Sequence, residues 1–280
     1  MKKLILAGLF ALSFVFFIYA GDAAVFVNKG FSEDGNFFVF AQYGKLDKTF
    51  QAWAELYTVD IKQNDYVDGG VFKTLPSKET ASKKAGAVYD ELLSKNSNYI
   101  EKLSLSAAKA EQILYIREDE KKSSTDEIIF KDFTYSIGAE QAKYRIKLVP
   151  AFEGEGVNTK SSFFITMEKQ DEDGNIVARQ NIGSPSIKRR GVVAYKIDRV
   201  ECDVSGRKLV FVIEKQVRDK TGLNIRYMVE AAVLSKDFSM PSKPDSTSGI
   251  NSDAEKTSLQ IINAHELIDA EQMTPYGDEK

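Results

Sequence analysis

Alternation of apolar and polar side chains at every second residue runs through most of this chain, and a period of two suits only a strand buried on one face. Residues 36–43 (NFFVFAQY) and 52–61 (AWAELYTVDI) show this pattern or a short apolar run between turn residues, the second with the large rings of Trp53 and Tyr57 to bury. The same pattern, or a short apolar run between turn residues, recurs at 112–117, 128–133, 144–149, 162–168, 176–180, 192–200, 208–215 and 224–234. About ten strands are therefore expected, joined by Gly, Asp, Asn and Ser clusters. Asp171-Glu172-Asp173-Gly174-Asn175 reads as a hairpin turn, because Asp-Gly and Gly-Asn supply the positive φ that tight turns need.

One block departs from the pattern. Between Ser77 and Leu103 the residues Ala81, Ala85, Val88, Tyr89, Leu92 and Leu93 fall at helical spacing, with Lys78, Lys83, Lys84, Asp90 and Glu91 on the other face. Ser77 and Thr80 are the expected N-caps, and a second short helix is expected around 99–103. The helical insertion thus covers about 77–104. Beyond residue 235 come Met240-Pro241-Ser242-Lys243-Pro244 and a Ser/Thr/Gly run, with three of the six prolines past residue 240. That is linker composition, so 236–280 reads as linker and flexible tail, with 254–270 able to form a short helix.

Residues 1–20 (MKKLILAGLFALSFVFFIYA) place two lysines before an uninterrupted run of apolar and small residues. Ile18 and Ala20 occupy positions −3 and −1 of a cleavage site before Gly21, and Ala24 offers a second site. This is the pattern of a secretory signal peptide, and the run is short of the ~20 residues that span a bilayer. The expected address is secreted or periplasmic, with no stable transmembrane segment after cleavage and a β-rich domain over 21–235. A leader left uncut would instead anchor the chain in the membrane. Exported chains often rely on disulfides, but a single Cys, Cys202, forbids an intramolecular one, and stability must come from an ordinary core.

Composition narrows the function. Lys and Arg number 38 against 41 Asp and Glu, a net charge of −3 with a pI near 5.5, which argues against a nucleic-acid partner. One Cys and one His leave no multi-cysteine or His-rich metal site. Acyl transfer needs a nucleophile beside a base, yet His265 lies in the expected tail and Gly183-Ser184-Pro185-Ser186 places a proline where a nucleophile elbow needs a helix to start. Cys202 reads as a small buried side chain. Asp171, Asp173 and Asn175 alternate as in a calcium loop, but Gly174 falls at position four instead of six and no Glu closes the loop. Gly69-Gly70 lacks the Lys-Ser/Thr of a phosphate loop. Glu153-Gly154-Glu155-Gly156 is an acidic turn, and Lys188-Arg189-Arg190 is a short basic run that could meet anionic lipid or cell-wall polymer. Phe37, Phe38, Phe40, Tyr43, Trp53 and Tyr57 either fill a core or line a glycan or peptide groove. No catalytic residue, metal or cofactor is assigned, and the ligand-binding residues stay unknown.

A weak internal repeat aligns Phe31-Ser32-Glu33-Asp34-Gly35-Asn36-Phe37-Phe38-Val39-Phe40 with Cys202-Asp203-Val204-Ser205-Gly206-Arg207-Lys208-Leu209-Val210-Phe211. Its first copy resembles the hairpin motif of propeller repeats of the TolB and WD40-like kind. With the leader and Trp53-Ala54-Glu55-Leu56-Tyr57-Thr58-Val59-Asp60, the stretch Gly30 to Phe40 also resembles a family of uncharacterised bacterial proteins known as predicted secreted proteins, a domain of unknown function. That resemblance covers about 21–235 and implies export, with no activity, cofactor or site residue to carry over. The expected fold is mainly β, with antiparallel sheets, propeller-like hairpins and one helical insertion, or alternatively α+β around a β-sandwich core. The expected function is a non-catalytic exported protein that binds an envelope protein or glycan, against the alternative of a hydrolase using an Asp/Glu pair.

Overall fold

A computed structural model describes residues 20–118, 127–131 and 143–239. The leader up to Tyr19, the chain from Met240 onward and His265 lie outside them. Strands hold 56% of the described residues against two α-helices, so the fold is mainly β. The path begins with β1 (Ala20–Ala23), followed by an antiparallel meander of β2 (Val25–Phe31), β3 (Phe37–Lys45), β4 (Ala52–Asp60) and β5 (Asp65–Thr74), here called the front sheet. Helices α1 (Ala85–Lys95) and α2 (Ser97–Lys102) come next, then β6 (Ile113–Ile116). A back sheet follows in the order β10-β9-β8-β7, built from β7 (Glu127–Lys131), β8 (Lys143–Glu153), β9 (Lys160–Gln170) and β10 (Ile176–Ile182), with β11 (Arg189–Arg190) also on β9. Finally β12 (Val192–Cys202), β13 (Lys208–Arg218) and β14 (Leu223–Val233) form the central sheet, flanked by β6 on one edge and β1 on the other. The β1–β14 pairing is parallel and joins the two ends of the described chain.

The layers follow from which strand faces are apolar. Even positions of β13, Val210 and Val212, meet Phe38, Phe40, Tyr57 and Val59 of the front sheet. Its odd positions, Leu209, Phe211 and Ile213, meet Tyr144, Ile146, Phe163 and Ile165 of the back sheet. A strand buried on both faces loses its alternation, which is why β13 reads as an unbroken apolar run. The outer face of the front sheet (Val39, Ala41, Ala54, Leu56) is covered by Val88 and Leu92 of α1. The order is therefore helix, front sheet, central sheet, back sheet. Each fully buried Leu or Phe contributes about 1.5–3 kcal/mol.

Polar ties cross both apolar layers. Asn28 of β2 donates to both carboxylate oxygens of Glu201 in β12 at 2.7 and 2.8 Å. Gln42 of β3 accepts from the Tyr227 amide of β14 (2.9 Å) and donates to Glu55 (2.8 Å), which also accepts from the Tyr57 hydroxyl (2.7 Å). Glu230 of β14 reaches both neighbouring layers. It accepts from Asn64 in the β4–β5 turn (2.6 Å) and from Arg189 of β11 (3.3 Å). Where β14 runs beyond β1, Asn64 also accepts from the Ala231 amide. These side chains occupy amide donors of an edge strand that would otherwise invite another chain to pair.

The repeat in the sequence is one turn used twice. Ser32 N–H donates to the Phe37 carbonyl and Asp203 N–H to the Lys208 carbonyl, both at 2.9 Å. Gly35 and Gly206 hold φ of 63° and 65°, the left-handed region open to glycine. The serine and the aspartate trade places, since Ser32 donates to Asp34 and Ser205 to Asp203. The two turns also touch, because Lys208 Nζ donates to the Asp34 carbonyl (3.2 Å) and to Asn36 Oδ1 (2.8 Å). The propeller likeness stops there: the three sheets are stacked in layers and none closes, although one curls into a half-barrel.

All ten expected strands are present among the described residues; residues 132 and 133 of one expected range lie outside them. Both helices fall inside the expected insertion, but α1 begins at Ala85 with Lys84 at its N-cap and no side-chain cap. Ser77 and Thr80 instead bond each other in a separate turn, Ser77 N–H to Thr80 Oγ1 and Thr80 Oγ1 to the Ser77 carbonyl, each 3.0 Å. That turn is moored to the sheet, with the Thr80 carbonyl accepting from the Ala52 amide, and it delays the helix.

Candidate functional site

A concavity among the described residues lies where the first copy of the repeated turn meets the end of α2. Phe31 and Ser106 exchange two backbone hydrogen bonds (3.1 and 2.9 Å), pinning the chain after α2 against the end of β2. A shallow trough of about 330 Å³ remains between them, lined by Ser32, Glu33, Asp34 and Phe37 from the turn and by Lys102, Leu103 and Ser104 from the helix end. Ser104 is held at φ 45°. Phe37 and Leu103, both half-buried, give the trough apolar surface, while exposed Glu33 and Lys102 bring charge of both signs. Asp34 is spent on the turn, accepting from the Ser32 hydroxyl (2.6 Å), the Asn36 amide (2.9 Å) and the Asn36 side chain (2.6 Å). The Ser32 hydroxyl and Asn36 amide hold its carboxyl below the ordinary value.

The residues singled out in the sequence are mostly put to structural use. Arg189, central to the basic run, is 2% exposed, lies over the Phe163 ring at 4.8 Å and pairs with Glu230, so it is not available to an external anion. Lys188 pairs with Glu153 of the acidic turn at 2.7 Å. Of the six aromatics, Phe38, Phe40, Trp53 and Tyr57 are buried, which settles them as core. Tyr43 stacks on Tyr89 of α1, and Phe37 alone reaches the trough.

Cys202 is buried, and burial with the nearby Asp203 and Glu201 charges pushes its thiol up to about 12, the opposite of an activated nucleophile. Ser184 Oγ lies 2.8 Å from Ser186 Oγ. Gly69-Gly70 lies inside β5. Burial raises the Asp171 carboxyl, but hydrogen bonds from Asn175, Asp173 and Gly174 outweigh it and hold it low. That inward bonding makes Asp171 the lock of the β9–β10 hairpin, and no group of three or more possible metal ligands occurs among the described residues.

A glycosidase-type mechanism needs two carboxyl groups across a cleft, with one of them free to give or take a proton. Among the described residues, carboxylates in the seam between the front and central sheets are engaged: Glu55 by Tyr57 and Gln42, Glu201 by Asn28, Glu214 by Arg117, Asp198 by Arg117 and Arg199, and Asp22 by Arg226 and Trp53. The trough carries Glu33 and Asp34 as neighbours on one turn. The sequence pointed to the turn itself. Lys102, Leu103 and Ser104 carried no signal, because only the long-range Phe31–Ser106 pairing brings them alongside it.

These features define a mainly β protein of three stacked sheets with a shallow trough of mixed charge at one end. The chain belongs to the family described as "Predicted secreted protein (DUF2259)", whose pattern matches residues 39–232, from β3 into β14. No curated protein matches it. No helix among the described residues is long and apolar enough to cross a membrane.

Proposed function

We propose that this chain is exported by its leader and works in the cell envelope as a non-catalytic binding protein, with the trough and the adjoining turn pair as its contact surface. The observation that carries this reading is the trough: apolar surface from Phe37 and Leu103 beside Glu33 and Lys102, backed by two interlocked turns. Its volume is near the lower end for ligand pockets, which suits a projecting loop or a terminal sugar better than an engulfed molecule. The family description supports export, and the engagement of the seam carboxylates favours binding over hydrolysis.

A photo-crosslinking side chain placed at Glu33, and separately at Arg179 on the back sheet, tests the reading in whole cells. The expected result is one discrete adduct from position 33, lost when Phe37→Ala is added, with none from position 179. Turnover of an envelope polymer by the purified chain, abolished by Glu33→Gln, would overturn it.

A further inference from the structure

The leader pattern offers more than one bond to a peptidase that wants small residues at −3 and −1. Cleavage after Ala24 would place charged Asp22 at −3. Cleavage after Ala23 places Gly21 and Ala23 at the two positions, and cleavage after Ala20 places Ile18, an uncharged apolar residue, at −3 and Ala20 at −1; both are open on sequence grounds. The fold distinguishes them.

Asp22 is 7% exposed and anchors three partners. Its carboxylate accepts from Arg226 of β14 at 2.6 and 3.0 Å and from the Trp53 indole of β4 at 3.2 Å. Its amide donates to Asn224 Oδ1 at 3.0 Å. The Arg226 guanidinium in turn lies 4.4 Å over the Trp53 ring. The segment therefore joins the central sheet to the front sheet, and it covers the first residues of β14, an edge that is open without it.

Gly21 fits so tightly that a Cβ there would come within 2.1 Å of the Leu223 carbonyl oxygen and 2.7 Å of Asn224 Oδ1. A cut after Ala23 or Ala24 would remove Asp22 and leave the Arg226 charge and the Trp53 indole N–H without their carboxylate.

We infer that the leader is removed at the Ala20–Gly21 bond, so that the mature protein begins with Gly21 and its first residues are a working strand of the fold. Water adds across that peptide bond; Ala20 leaves as a carboxylate on the released leader, and Gly21 keeps the nitrogen as an ammonium group. This rests on the export reading and goes beyond it by choosing the bond.

The test is intact-mass and N-terminal sequencing of the full-length gene product from fractionated expressing cells, beside thermal melts of chains beginning at Gly21 and at Val25. An exported protein starting at Gly21, with the Val25 chain melting about 10 °C lower, is the expected result. An exported protein starting at Ala24 or Val25, or equal melting of the two chains, overturns the choice of bond and leaves export standing. An uncut chain held in the membrane also overturns it, whereas an uncut chain in the cytoplasm overturns the export reading as well. Asp22→Asn, which keeps the shape of the side chain, should lower the melting point of the Gly21 chain if the carboxylate is the anchor; an unchanged melt counts against the inference.

Discussion

Glu230 and Glu201 show how much of this fold depends on single buried carboxylates. Glu230, 2% exposed, is shared by Asn64 and by an Arg189 that is equally buried. Removing one partner of such a pair is far costlier than the pair's net worth, because the remaining charge keeps its desolvation penalty. Glu230→Ala should therefore cost about 3–5 kcal/mol in urea unfolding, whereas breaking the exposed Lys83–Glu91 pair should leave the urea midpoint nearly unchanged. Glu201 makes a pH-dependent prediction. Burial raises its carboxyl above the ordinary value, against the opposing pull of Asn28 and Arg199. A group with a raised folded pKa contributes fully below its unfolded pKa and loses that contribution as pH rises through the folded one. Relative to Glu201→Gln, which stays neutral, the wild-type chain should thus lose stability as pH rises above the ordinary Glu value of 4.5. Urea midpoints measured upward from that value should diverge with rising pH; a constant gap would refute the assignment.

At the scale of elements, α1 stabilises the stack by covering the outer face of the front sheet, and Leu92, 3% exposed, is one of its two buried contacts. Leu92→Ala should cost about 2–5 kcal/mol, read by chemical denaturation. The elements also show what the sequence could reveal. Strands buried on one face advertise a period of two, and β8 and β9 were legible for that reason, whereas β3 and β4, covered by α1 on one face and the central sheet on the other, were legible as apolar runs. The central β13 was legible as an apolar run between turns. Four strands escaped. β5 carries Asp68-Gly69-Gly70, which reads as a loop, and it is a strand with a register shift opposite Tyr57 and Val59. β2 is short and broken by Gly30 at an irregularity in its pairing, β11 has only two residues, and β1 overlaps the leader pattern. The repeated Gly turn was legible as a turn, but the contact between its copies was not, since the Lys208–Asn36 bond spans 172 positions of chain. The trough was half legible for the same reason.

For the whole molecule, the prediction concerns cooperativity. The central sheet shares one core with each neighbour, and Glu230 touches both, so the three sheets should melt as one. Far-ultraviolet circular dichroism and Trp53 fluorescence, reporting all strands and the front sheet respectively, should give coincident transitions; separate midpoints would show that the front sheet unfolds by itself. The parallel pairing of β1 with β14 adds a rule of timing. On the export route proposed above, the segment that leads has its partner among the last strands to arrive, so the native topology cannot close while the chain is still threading outward. If exported so, the chain is kept from locking early and becomes resistant to protease only once Leu223 to Val233 has emerged.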